Sequence, residues 1–294
     1  MEALGSFLFQ KQTRYRTSLR VCSFSNYNLT ALIQYSMHFL VQSNIYSDPD
    51  HARIFDILED LQFSYEKIHL PPGANSLDLA ADRRDIFVYG SVRLARLAKQ
   101  YEHWSPGSFY GGNHLFKHFA PHYQANLLNY QVEVFPFGKA IQWEAGEQKF
   151  IKPYKEAKIF TGNIFTQIKW EDFVAQSLAQ PATPLLHQGA LVQASIPQKI
   201  YKEARLWVVG DQVVDAVYYK FHGDVTYERQ VAPEGIEFAK AMIKTFSVAP
   251  AFVMDICLTT EGWKIVEINC INSAGFYPTS DVRTVVKALE LCLG

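Results

Sequence analysis

The chain has 294 residues, 48% hydrophobic and 14% aromatic, enough for one large or two medium domains with a packed core. A formal net charge of -1 gives no global reason to expect a nucleic acid or an anionic membrane as partner, and no apolar run approaches the roughly 20 residues that span a bilayer. The cysteines Cys22, Cys257, Cys270 and Cys292 are scattered without a Cys-x-x-Cys pair, which argues against a disulfide framework or a structural zinc and predicts a reducing, cytoplasmic setting.

Residues 1–30 carry one acid, Glu2, against Lys11, Arg14, Arg16 and Arg20, with many hydroxyl side chains. That composition fits a targeting segment or an irregular extension with Met37 nearer the true start. From residue 37 "HFLVQSNIY" predicts a strand. Asp48 or Asp50 then caps a helix whose apolar residues Ile54, Ile57, Leu58 and Leu61 recur at helical spacing. "SYEKIHLPPG" and "DIFVYGS" predict two further strands, and "VRLARLAKQY" a helix. Alternating strands and helices imply an α/β unit with a small parallel sheet.

The stretch from Trp104 to Gly146 is less regular. "SPGSFYGGNHLF" is loop-like, and "LLNYQVEVF" suits helix or strand. His114, His118 and His122 fall four apart, as metal ligands on a helix would. Pro121 interrupts such a helix and no Glu follows the first His, which favours aromatic packing or a substrate loop. The domain boundary is placed here, with one unit over 31–145 and a second over 146–294.

The second unit reads as strands with two helices interposed, an α+β pattern. "KFIKPY" predicts a strand ending at Lys152, followed by a loop with Lys155, Lys158 and Gly162. Lysine can hold a phosphate as a point charge, and a glycine loop can turn its N–H groups on the same anion. "ALVQASIP" predicts a strand and a short linker. "YKEARLWVVGDQVVDAVYYKF" predicts a hairpin turning at Gly210-Asp211, with Glu203 and Arg205 on one face. A helix near "PEGIEFAKAMIKTF", the hairpin "AFVMDICLTTEGWKIVEIN" and the helix "SDVRTVVKALELCL" complete the chain.

The last hairpin carries the clearest chemistry. A three-residue Thr260-Glu261-Gly262 loop, with Gly262 left-handed, pairs Thr259 with Trp263 and sets Asp255 opposite Glu267. Like charges facing across a ladder are unfavourable, and Asn269 shares the face of Glu267. Oxygen donors without nitrogen or sulfur suit a hard cation such as Mg²⁺ holding phosphate oxygens; the alternative is a solvated sheet face. Neither Gly-x-x-x-x-Gly-Lys-Ser/Thr nor Gly-x-Gly-x-x-Gly is present.

The order of these parts over about residues 146 to 281 resembles the ATP-grasp superfamily: strand-Lys-Pro with a glycine-bearing loop, "LVQASIP", Glu-x-Arg with "VVGDQVV", then Asp and Glu-Ile-Asn on the last hairpin. The wording "FVYGSVRLARLAK" and "INSAGFY" is similar to a bacterial and phage clade of that superfamily named for two arginines and a lysine. The resemblance implies an α/β N-terminal small parallel-sheet domain ahead of an α+β ATP-grasp domain, with ATP and Mg²⁺ as cofactors. It implies that Lys152 contacts the phosphates with Lys158 and Gly162 in a covering loop, and that Gln193 and Ser195 lie in the hinge gripping adenine. Arg205 would stabilise the transferred group beside Glu203, and Asp255, Glu267 and Asn269 would hold Mg²⁺. Lys220 and Arg229 are candidates for substrate anions. Two departures stand out: Gln193 occupies a position often held by an acid, and the loop is poor in glycine. The activity implied is a carboxylate-amine ligase working through an acyl phosphate, on a small-molecule or peptide acid and an amine. A kinase or a non-catalytic nucleotide-binding module is the alternative.

Overall fold

The structure, a computed structural model, describes residues 37–45, 48–77, 83–154, 159–180 and 186–294. The extension over 1–30, Cys22, Lys155 and Lys158 lie outside the described residues. The expected small parallel sheet is present. β1 (His38–Gln42) is flanked by β2 (Tyr65–Ile68) and β3 (Ile86–Tyr89), all parallel. Helix α1 (Arg53–Asp60) connects the first two strands and α2 (Val92–Ala98) follows the third. Ser91 caps α2 by accepting from the Leu94 amide. The predicted Asp cap of α1 is not found. Ala52 stands at that position, while Asp48 accepts from the Asp50 amide and Asp50 from Arg53, so both acids shape the turn ahead of the helix.

A five-stranded antiparallel sheet follows, in the order β10 (Asp224–Arg229), β9 (Gln212–Phe221), β8 (Ile200–Val209), β11 (Ala251–Thr259), β12 (Gly262–Cys270). The β8–β9 turn is the two-residue one predicted: Gly210 (φ 57°) and Asp211 (φ 61°) both adopt the left-handed region that such hairpins require. Alternation along β8 divides its side chains between two cores. Ala204, Leu206 and Val208 face Ala239 and Ile243 of α5 (Pro233–Thr245). Trp207 and Val209 face Phe39 and Phe87 of the small sheet together with Val285 and Leu289 of α6 (Val282–Leu293). Arg205 shares the second face by the two-residue period, so the small domain is packed alongside it.

A third, antiparallel sheet has the order β4 (Glu133–Pro136), β7 (Leu191–Ser195), β5 (Lys149–Pro153), β6 (Asn163–Phe165). It is backed by α4 (Gln167–Ala179), whose Trp170 packs on Phe135, Phe137 and Phe165. The ambiguous "LLNYQVEVF" thus ends in a strand. His114, His118 and His122 do not share one helix: His114 closes a 3-10 turn over Gly112–His114, and α3 (Phe116–Tyr123) carries the other two. Pro121 sits inside α3, where in so short a helix it removes only the bond to Lys117. His122 stacks on Phe246 at 3.9 Å, the packing role expected.

Candidate active site

The terminal hairpin reaches the predicted pairing by another route. Its turn is one residue shorter than counted, with Thr259 opposite Gly262, but a bulge at Val266 shifts the register back and Asp255 still faces Glu267. Gly262 has φ 104°, as the turn requires. Neighbouring β8 pairs Arg205 with Asp255, and their side chains meet in a two-pronged ion pair: Nε and Nη2 of Arg205 each donate to a carboxylate oxygen at 2.8 Å. Arg205 Nη1 donates to the Gly275 carbonyl at 3.2 Å, and its guanidinium carbon lies 4.9 Å from the centre of the Tyr277 ring. Asn269 Nδ2 donates to Glu267 (3.0 Å) and Asp255 (3.3 Å). Two facing carboxylates are therefore tolerated because a guanidinium and an amide lie between them.

Their ionisation differs accordingly. Asp255 is 1% exposed; burial, against which Arg205 works only in part, pushes its carboxyl up to about 6, and the Glu267 charge adds to the rise. For Glu267 burial also opposes the charge, but the Asn269 amide, Lys152 and Arg205 outweigh it and hold its pKa below the usual value. The Arg205 guanidinium is held charged by Asp255 against the cost of burial. Two carboxylates and an amide, all oxygen donors, suit Mg²⁺, which takes one or two carboxylates and completes its shell with water and phosphate oxygens. Among the described residues no group of three or more His, Cys, Asp or Glu could hold a metal by itself.

A cavity of about 600 Å³ lies in front of Glu267 and Asn269. Lys152, Gly162, Gln193, Tyr154 and Phe160 line the opposite wall, and His114, Tyr110 and Phe116 close one side. Gly162 is needed here for space, since a Cβ would stand 2.7 Å from the Phe150 ring and 2.9 Å from Lys152 Cβ. Of the predicted set, Lys152, Gly162, Gln193, Glu267 and Asn269 share the cavity, and Asp255 and Arg205 are joined to Glu267 and Asn269. Glu203 stands two residues along β8. It accepts from the Tyr219 hydroxyl at 2.8 Å and pairs with Lys220 Nζ at 3.4 Å, so both candidates are engaged with each other. Ser195 donates to Asn129 Oδ1 at 2.9 Å and lines a separate cavity of about 240 Å³. Arg229 pairs with Asp215 and Asp281, away from this cluster.

Two residues acquire a place that sequence patterns did not assign. Asn272, 0% exposed, donates to the Val88 (2.7 Å) and Gly107 (3.3 Å) carbonyls and accepts from the Phe109 amide at 2.8 Å. Its side chain fastens the hairpin to the small domain instead of turning toward a substrate. Arg53 continues the seam by donating to the carbonyls of Tyr277, Pro278 and Ser280.

His114 is buried, its Nε2 has no hydrogen-bond partner, and burial lowers its pKa from the ordinary 6.5 despite nearby carbonyls of Gly111 and Phe109. A depressed pKa contributes stability above pH 6.5 that is lost as pH falls, because the unfolded chain binds a proton that the folded one refuses. The stability advantage of the wild type over His114→Gln should therefore shrink between about pH 7.5 and 5.5. Urea denaturation at several pH values checks this, and a constant difference would contradict it.

Residues 93–289 match the model of a family described as an ATP-grasp domain, family 3 of the clade named for two arginines and a lysine. No curated protein matches the sequence. Among solved structures, D-alanine--D-alanine ligase from Bacillus anthracis superposes with TM-score 0.59 at 11% identity, covering 87% of this chain and 93% of that one. A RimK domain protein ATP-grasp from Sphaerobacter thermophilus gives 0.58 at 14%, covering 87% and 99%. ATP-grasp ligase PsnB, complexed with a minimal precursor, gives 0.54 at 13%, covering 86% and 98%. At such identities the likeness concerns the fold. Among the described residues no helix is long and apolar enough to cross a membrane. By the extent of the family match, together with the fold that these structures share, the chain belongs to the ATP-grasp family.

Proposed function

We propose that this protein is an ATP- and Mg²⁺-dependent ligase that activates a carboxylate and joins it to an amine. The observation that carries the reading is one cavity with Lys152 and Gly162 on one wall and Glu267 and Asn269 on the other. Lys152 acts electrostatically on Glu267 across that space, so a charged ligand between them meets both. In this reading Lys152 binds nucleotide phosphates, and Glu267 and Asn269, with Asp255 behind them, hold Mg²⁺. Mg²⁺ would supply neutralisation of phosphate charge. Arg205 keeps Asp255 and the Gly275 carbonyl in place and presents a fixed positive charge beside the cluster. No protein nucleophile is required, because positioning and charge neutralisation suffice for phosphoryl transfer to a carboxylate. The ligases among the similar folds act on amino-acid and peptide substrates by their names, which directs the search to such acids and amines.

The test is release of ADP and phosphate by the full chain over pools of amino acids and peptides, with MgATP present. Release should require both an acid and an amine, and Glu267→Gln should lower it by about 10²-fold or more. ADP formed without free phosphate, with the label on a hydroxyl, would overturn the ligase reading in favour of a kinase.

A further inference from the structure

Gln193 is 3% exposed, and its side-chain Oε1 is buried without a hydrogen-bond partner in the wall of the cavity. It lies on β7, an inner strand paired with β4 on one side and β5 on the other, opposite Val134 and Lys152. With the strand's backbone engaged in both ladders, the side-chain amide is the group at this position left to meet a ligand. A buried acceptor without a donor costs about 1–3 kcal/mol, which a ligand N–H would recover. Lys152, its cross-strand neighbour, supplies the cation for phosphates. A carboxamide has one donor and one acceptor end, the pair that matches the edge of a purine.

We infer that Gln193 reads the 6-position of the purine in the nucleotide held here, and that as an amide it accepts both 6-amino and 6-oxo purine triphosphates. The inference rests on the nucleotide-binding reading above. A 6-amino group donates to Oε1. A 6-oxo group accepts from Nε2 once the amide turns over, and no protein donor holds Oε1 against that turn. A carboxylate at this position would have acceptors alone and would set oxygen against oxygen for a 6-oxo base.

The experiment is titration of the full chain with MgATP and MgITP, on wild type, Gln193→Glu and Gln193→Met. The wild type should bind the two within about tenfold of each other. Gln193→Glu should lose at least another tenfold on ITP relative to ATP, while Gln193→Met weakens both and leaves their ratio near that of wild type. Tight ATP binding with ITP weaker by about 100-fold or more in the wild type overturns the inference alone, as does an unchanged ratio in Gln193→Glu. Binding of neither triphosphate overturns the nucleotide reading and the inference together.

Discussion

Arg205→Met should destabilise the protein by about 3–5 kcal/mol at pH 8, because it leaves the Asp255 carboxylate buried without its partner. Methionine keeps the apolar stem under Tyr277, so the loss isolates the charge. The penalty should shrink toward pH 5. Asp255 already has its pKa pushed up to about 6 with the guanidinium in place. Without it the carboxyl rises further, and a raised folded pKa gives stability that is present at low pH and lost as pH rises through it. Arg205→Met combined with Asp255→Asn should cost less than Arg205→Met alone, since no charge is then stranded. Urea denaturation at both pH values measures all three. A penalty below about 1 kcal/mol that does not vary with pH would show that the pair is not a buried, coupled one.

Asn272→Ala should cost about 2–4 kcal/mol, since it strips partners from the Phe109 amide and from the Val88 and Gly107 carbonyls in a fully buried seam. Asn272→Asp should be no better: it keeps an acceptor for Phe109 but faces the two carbonyls with a buried charge. Amide hydrogen exchange should accelerate at Phe109, and also at Gly90, whose N–H donates to the Asn272 carbonyl at 2.8 Å. A loss of under about 0.5 kcal/mol with unchanged exchange at Phe109 would mean that the seam is held by its apolar contacts alone.

Much of this architecture is legible in the sequence where local chemistry is strong. The strand-helix alternation of the first half, the Gly210-Asp211 turn and the helix after Asp281 follow from periodicity and turn residues. Less visible are β6, β10 and α4. The three residues of β6 are too few for a pattern, and β10 is mostly polar or charged. In α4 only Trp170 and Ser177 are buried, so its apolar period is weak.

The site shows the same division. Asp255, Glu267 and Asn269 lie on consecutive strands, where alternation and pairing place them together. The hairpin count missed by one residue at the turn, and the bulge at Val266 restored the pairing; neither is marked by an unusual residue. The Arg205–Asp255 pair joins strands from two separate hairpins, 50 residues apart, and depends on sheet order, which no local pattern encodes. Asn272 likewise meets groups 163 to 184 residues away. Its polarity next to Asn269 reads as part of the site, whereas its partners make it part of the domain seam.

The central claim, that one cavity binds a magnesium nucleotide through Lys152 and Glu267, is tested most directly by thermal unfolding with MgATP. At about 100 times its dissociation constant a ligand adds ~2.7 kcal/mol, a rise of several degrees for a chain of this size. Wild type should show that rise, and Lys152→Ala and Glu267→Ala should lose most of it while unfolding cooperatively without nucleotide. No stabilisation of the wild type at millimolar MgATP, or an equal rise in both variants, would contradict the account.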